Sequence, residues 1–310
     1  MADLGEFGVI ARVTAGRRMP PGTLLGPGDD AAVLTAADGR VVACTDVLVE
    51  GVHFRLDWST PHQVGRKAVA ANLVDVAAMG AVPTGLLVGL ACPEHTLVST
   101  VDGLVAGMWE EADRVGTGVV GGDVVGAADL VVSVTALGDL QGRAPVTRSG
   151  ARPGNVLGVC GRLGWAAAGL AVLGRGFRSP SAVVGAHRVP EPPYHAGPQA
   201  ALAGATAMID VSDGLLSDAG HLALSSGVGI DIDSGALTVP RRLVEVASAL
   251  GADPRHWVLT GGEDHALLAS FPAGVALPAG WTAVGVVREG RGVTVDGGTY
   301  EGPAGWAHFS

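Results

Sequence analysis

Short apolar runs alternate along the chain with longer stretches whose apolar positions recur at helical spacing. Residues 40–48 (RVVACTDVL) are β-branched and apolar, which predicts a buried strand. Residues 62–80 place Val64, Ala68, Leu73, Val76 and Ala77 at helical spacing, with Gly80 as the stop. A strand is expected at 85–92, then a helix over 97–115 carried by Val101, Leu104, Val105, Met108 and Val115, then strands at 118–120 and 130–138. Around residues 141–155 (QGRAPVTRSGARPGN) the pattern breaks into a polar stretch bearing glycine and proline. A domain boundary is expected there, dividing the chain into residues 1–145 and 146–310. The second half predicts a strand at 155–160, a helix at 164–174 and a Pro-rich connection over 178–198. Helices at 199–207 and 214–225 follow, then strands at 228–233, 266–271, 281–287 and 292–295. Both halves mix helices and strands, so the expected class is α/β (α+β) in two mixed domains.

Composition narrows what such a fold does. The formal charge is −10 and Lys67 is the single lysine, so binding to nucleic acid or to an anionic membrane is not expected. A phosphate-bearing substrate would need neutralisation by something other than lysine, and metal ions are the obvious candidates. The 49 glycines lie between apolar runs rather than in tracts, which reads as tight turns and close backbone approaches. Cys44, Cys92 and Cys160 are too few and too far apart for a disulfide framework or a zinc site, and Cys44 and Cys160, set in apolar runs, read as small buried hydrophobes. The N-terminus lacks a basic region followed by an apolar one, and no run of about 18 apolar residues occurs, so a soluble, cytoplasmic protein is expected.

The candidate chemistry lies in carboxylates set within or beside apolar runs. They are Asp29 and Asp30 in GPGDDAAV, Asp46 in ACTDVLVEG, Asp75 in NLVDVAAMG, Asp123 in VVGGDVV, Asp210 and Asp213 in MIDVSDGL, and Glu263 and Asp264 in TGGEDHALL. One such residue is usually a cap or turn former. A whole series is harder to explain that way, because a carboxylate in apolar surroundings is costly unless paired or bound to metal. Oxygen donors without a His/Cys cluster favour magnesium, manganese or calcium. Ser212-Asp213-Gly214 suits either a helix cap or a helix N-terminus facing phosphate or metal, and both stay open. Asp75 sits mid-helix, where capping does not account for it. Arg148 in VTRSG is the clearest cation beside a glycine turn, and His53 follows Gly51-Val52 near Asp46 and Glu50.

Familiar nucleotide motifs fail. Residues 116–121 (GTGVVG) follow a helix and lead into Gly-Asp, the wrong context for a dinucleotide loop. Lys67 does not follow glycine, so no Walker A loop exists, and the protein-kinase, hydrolase-elbow and zinc-protease signatures are absent. The stretch from Asp231 to Gly235 has the flavour of a calcium loop, but position 242 is arginine where the closing glutamate belongs.

Taken in order, GEFGVI (5–10), GPGDDAAV (26–33), CTDVLVEGVHF (44–54), GRKAVAANLVDVAAMGAVP (65–83), GGDVV (121–125), TRSGARPG (147–154), MIDVSDGL (208–215), TGGEDHALL (260–268) and GWAHF (305–309) resemble the thiamine-monophosphate kinase family. The resemblance implies a fold like that of aminoimidazole ribonucleotide synthetase, with dimerisation through the first domain. It implies ATP-dependent, Mg2+-dependent phosphorylation of thiamine monophosphate to thiamine diphosphate. Carried over, the magnesium ligands would be Asp30, Thr45, Asp46, Asp75, Asp123, Asp210 and Asp213, with Cys44 where the family commonly has a serine on a metal. Of these, Asp46, Asp75, Asp123 and Asp213 would carry the catalysis. Gly122, Asp123, Arg148 and Ser212 would contact ATP, and His53, Glu263 and Trp306 the thiamine phosphate. GEDHALL stands in place of the usual GEDYELL, and GGDV in place of GGDT. The rivals are a ligase of the same superfamily, such as aminoimidazole ribonucleotide or selenophosphate synthetase, a two-metal phosphohydrolase, and a metal-binding scaffold without turnover.

Overall fold

The structure, a computed structural model, describes residues 5–26 and 31–306. These fall into two compact units: one runs to Val76 and includes Ala81–Arg143, the other comprises Ala77–Gly80 and the chain from Ala144 onward.

In chain order the first part holds α1 (Gly5–Thr14), β1 (Thr23–Leu25), β2 (Val33–Leu34), β3 (Val42–Val49), α2 (Pro61–Ala78), β4 (Val82–Cys92), α3 (Val98–Asp113), β5 (Val119–Gly126) and β6 (Val131–Asp139). Four strands form a sheet in the order β3-β6-β4-β5, antiparallel except for β4 with β5. Leu48, Leu86, Val132, Val134 and Ala136 are buried on the face that meets α2, where Val76 packs at Gly138. The other face keeps Val47, Leu87 and Val125 at 46%, 37% and 49% exposure. The helices α2 and α3 cross at glycines for want of room. A Cβ on Gly65 would stand 1.9 Å from the Leu104 carbonyl oxygen, and one on Gly107 1.9 Å from that of His62.

The second part holds β7 (Val156–Cys160), α4 (Trp165–Gly174), α5 (Ser181–Arg188), α6 (Ala196–Leu202), β8 (Ala207–Val211), α7 (Leu215–Ser226), β9 (Gly229–Ile232), α8 (Arg241–Leu250), α9 (Pro254–Thr260), β10 (Ala266–Phe271), β11 (Trp281–Arg288) and β12 (Gly292–Val295). Six strands make a sheet in the order β12-β9-β11-β7-β10-β8, in which only the β12–β9 pair is parallel. Leu157, Ile209, Ile230 and Leu268 of this sheet share a core with Leu215 and Leu222 of α7. The architecture is α/β in both units, as the alternation predicts.

The differences from expectation are local. The Pro-rich connection contains α5, which buries Val183, Val184, Ala186 and His187. The helix expected to run to residue 207 stops at Leu202, and 207–211 form β8, buried along its whole length. The helices α8 and α9 fill a stretch left without elements. For α8 the signal was present: Leu243, Val246 and Ala247 lie on one face after Pro240 and before a left-handed Gly251.

Candidate active site

In the first unit the candidate residues sit on regular elements. Asp46 and Cys44 lie on β3 on the side of α2, and Asp75 is on α2 itself. Asn72, one helical turn before Asp75 and fully buried, ties them together. Its side-chain oxygen accepts the Asp46 backbone N–H at 3.0 Å, its Nδ2 donates to the Ala68 carbonyl at 2.9 Å, and its own carbonyl receives Cys44 Sγ–H at 3.3 Å. Burial, with the Asp75 and Asp46 carboxylates close by, pushes the Cys44 thiol far up, so sulfur stays protonated here. A neutral thiol is a poor partner for a hard, oxygen-preferring cation, so Cys44 fits the magnesium role badly. The hydroxyl of Thr45 is committed within the sheet, donating to the Val134 carbonyl and accepting from Thr135, both at 3.0 Å.

Register explains how the remaining first-unit groups are disposed. Asp46, Val134, Val88 and Gly122 line up across β3, β6, β4 and β5. One step along, Asp123 is level with Gly89, Ser133 and Val47, on the opposite face from Cys44 and Asp46. Asp123 Oδ1 accepts the N–H of Val124 at 2.8 Å. His53 is held in the turn after β3: its Nδ1 accepts the Val49 N–H at 3.1 Å, which places the neutral ring's proton on Nε2. Its carbonyl accepts from the lone lysine, Lys67, at 3.0 Å. Asp30 lies outside the described residues.

In the second unit the candidates converge from loops. β8 delivers Asp210, 4% exposed, and the Ser212–Gly214 turn leads into α7. The cap of α7 is supplied neither by Ser212 nor by Asp213. Asp218 Oδ2, on the first turn of α7, accepts the backbone N–H groups of Asp213 at 3.0 Å and Gly214 at 3.1 Å. Burial, then the Asp210 charge, then that of Asp213, push the Asp218 carboxyl up to about 7 against the pull of those two N–H bonds. Donor atoms of Asp213, Asp218 and His221 lie within 4.8 Å of one another. Asp218 was legible in the sequence: with Leu215, Ala219 and Leu222 it occupies the buried face of α7, where a carboxylate is out of pattern. Asn72 breaks the pattern of α2 in the same way.

The 261–265 loop completes this cluster. Glu263 and His265 are non-glycine residues at φ 66° and 53°, a left-handed backbone found where surroundings dictate it. Their N–H groups donate to the carbonyls of Ser212 at 2.8 Å and Val211 at 3.1 Å, stitching this loop to the end of β8. Three consecutive side chains then diverge. Glu263 Oε2 comes within 3.3 Å of His187 Nδ1 on α5. Asp264 turns inward, where its Oδ1 accepts the Ala166 N–H at 2.9 Å and takes over the capping of α4. Burial pushes the Asp264 carboxyl up to about 7, and its buried Oδ2 has no hydrogen-bond partner. His265 Nδ1 donates to Asp210 Oδ2 at 3.0 Å.

The tail reaches the same place. The Trp306 N–H donates to the Asp213 carbonyl at 3.0 Å, leaving the side chain 62% exposed beside the turn. Only glycine fits before it, since a Cβ on Gly305 would stand 2.4 Å from that carbonyl oxygen. Arg148 is held elsewhere. Its carbonyl accepts from Ser226 Oγ at 2.9 Å at the C-terminal end of α7. Ser212 precedes the other end of this 12-residue helix, about 18 Å away along its axis.

Each unit thus supplies oxygen donors, and the second adds an exposed indole. Residues 28–140 match the family described as AIR synthase related protein, N-terminal domain. The thiamine-monophosphate kinase of Mycobacterium tuberculosis is 54% identical over 100% of this chain and 93% of its own length. The chain belongs to the thiamine-monophosphate kinase family. The thiamine-monophosphate kinase of Corynebacterium glutamicum is 44% identical, over 100% of this chain and 95% of that protein. Among solved structures, AaThiL complexed with AMPPCP and TMP superposes with a TM-score of 0.83 at 34% identity, covering 100% of this chain and 98% of that one. The aminoimidazole ribonucleotide synthetase-like fold is therefore that of the family.

Proposed function

We propose that this chain transfers the γ-phosphoryl group of ATP directly to the phosphate of thiamine monophosphate, giving thiamine diphosphate. The observation that carries this reading is the full-length match to thiamine-monophosphate kinases, together with the match of the whole chain to AaThiL bound to AMPPCP and TMP. Donor and acceptor are both anionic, so the task is alignment and charge neutralisation more than covalent chemistry. The acceptor phosphate is already ionised, and no general base is assigned.

Magnesium fits the donors that the chain supplies. They are mostly carboxylate oxygens, and the rise of the Asp218 carboxyl under the Asp210 and Asp213 charges marks an excess of negative charge that a divalent cation would offset. In the first unit Asp46 and Asp75 would hold it on the α2 side of the sheet and the Thr45 position and Asp123 on the other face, with Asp30 as a further ligand, and in the second Asp210 and Asp213 would. When bound, it supplies electrostatic screening of the phosphates and stabilises the charge that develops during transfer. Asp46, Asp75, Asp123 and Asp213 are the carboxylates assigned to catalysis. Gly122, Asp123 and Ser212 are assigned to ATP, with Arg148 reaching it by its side chain from a separate anchor. His53 offers an N–H to the acceptor phosphate, Glu263 a carboxylate to the cationic thiamine, and Trp306 an exposed ring face to the thiazolium.

The boundary near residues 145–146 would separate two domains, the first of which would pair two copies of the chain. The half-exposed apolar face bearing Val47, Leu87 and Val125 supports a homodimer formed through the four-stranded sheet. No described helix is long and apolar enough to cross a membrane, and Cys44, Cys92 and Cys160 are all free, which supports a cytoplasmic setting.

Incubation with ATP and magnesium, with and without thiamine monophosphate, tests the reading by mass analysis of the products. Thiamine diphosphate and ADP are expected only when both substrates are present. Release of inorganic phosphate without an acceptor would replace this reading with a phosphohydrolase.

A further inference from the structure

We infer that His265 is a positioning residue that orients the Asp210 carboxylate for cation binding; the inference rests on the reading of Asp210 as a magnesium ligand. His265 is 8% exposed and stands at φ 53°, a conformation that is costly for a non-glycine residue and persists only where its surroundings hold it. Two bonds do so. The backbone N–H donates to the Val211 carbonyl at 3.1 Å, and Nδ1 donates to Asp210 Oδ2 at 3.0 Å.

The consequence is specific to one oxygen. A carboxylate accepts only, so Nδ1 must carry the hydrogen, and Oδ2 is directed at the ring. Asp210 is 4% exposed on β8, and its field reaches the Asp218 carboxyl, which Asp213 also faces. Without a fixed donor on Oδ2, a carboxylate so placed would turn away from the neighbouring negative charges. With it, the plane of the carboxyl group is set and Oδ1 is left for a ligand, the usual work of an outer-shell partner.

The test is divalent-cation binding by the full-length protein without ATP or thiamine monophosphate, using Mn2+ followed by electron paramagnetic resonance and Mg2+ by calorimetry. Asp210→Asn defines the binding step that depends on Asp210. If that variant binds like the wild type, the ligand reading fails, whatever His265 does. Given that Asp210-dependent step, His265→Ala should weaken it about 10–100-fold. His265→Asn should stay within about 3-fold of wild type, because asparagine tolerates the left-handed backbone and its amide can donate to the carboxylate. A His265→Ala protein that binds normally, or a folded His265→Asn protein as defective as His265→Ala, overturns the inference. If His265→Ala does not fold, the His265→Asn isotherm decides alone: near wild-type binding supports the role, and loss of the Asp210-dependent step removes it.

Discussion

The two units bring their candidate groups together in different ways. In the first, Asp46 and Asp75 lie within regular elements, β3 and α2, and a buried side chain, Asn72, fixes their spacing. In the second, Asp213, Glu263 and Trp306 come from turns and a tail, tied by backbone bonds from Glu263 to Ser212 and from Trp306 to Asp213. A site on regular elements is held by the whole core beneath it. A site on loops is held by a few bonds and by residues in strained conformations, so it is easier to disturb without unfolding the protein. Side-chain deletions in the first unit should therefore change chemistry alone, and changes within the 261–265 loop of the second should mix chemistry with local stability.

The largest expected effect concerns the acceptor. If the His53 N–H and the carboxylate-bound cations recognise phosphate, thiamine should be a worse acceptor than its monophosphate by about 10⁴-fold, because the groups that pair with the phosphate would be left without a partner in the complex. Comparing kcat/KM for the two settles it, and similar values would remove the first unit's role in reading the phosphate.

Next in size is a pH effect expected from the second unit. The Asp264 carboxyl is raised to about 7 in the folded protein, while in the unfolded chain it titrates near the usual ~3.9. Between about pH 4 and 7 the native state therefore binds the extra proton, and this group's contribution to stability falls as pH rises. The loss should reach up to about 4 kcal/mol and be absent from Asp264→Asn. Urea unfolding of both proteins at pH 4.5 and 7.5 measures the difference, and parallel pH curves would show that Asp264 ionises normally.

Asp46→Asn and Asp75→Asn should each lower kcat at least ~100-fold, the scale of losing one main electrostatic stabiliser. The melting temperature should hold, since β3 and α2 keep their packing. Near-normal turnover at saturating magnesium would withdraw the cation role of the residue changed. The smallest effect is that of Trp306→Ala, which should weaken thiamine monophosphate binding by roughly 1–2 kcal/mol and leave KM for ATP and the melting temperature nearly unchanged. Equal effects on both substrates with a lower melting temperature would make the indole a packing group.

Much of the first unit was legible because its elements are long and periodic. The spacing of Leu73 and Val76 predicts α2, and Asp75 and Asn72 stand out as polar residues in an apolar period. The second unit was harder to read. Ala207–Val211 follows an alanine-rich helix, and only pairing with β10 makes it a strand. Ser181–Arg188 is short and flanked by prolines, and its burial against α4 decides its state.

The sequence by itself determined which residue types were available: oxygen donors in quantity, one lysine, and an aromatic near the end. That follows from composition and from local periodicity, which depend on neighbours in the chain. Only the tertiary structure decided their partners. That Asp264 caps α4 across 98 positions and that His265 meets Asp210 across 55 are contacts between distant segments. They exist because β10 lies beside β8 and brings the 261–265 loop against the end of that strand, with Glu263 and His265 held left-handed. No local preference would select that backbone, because its cost is met by bonds that form only once the sheet is assembled.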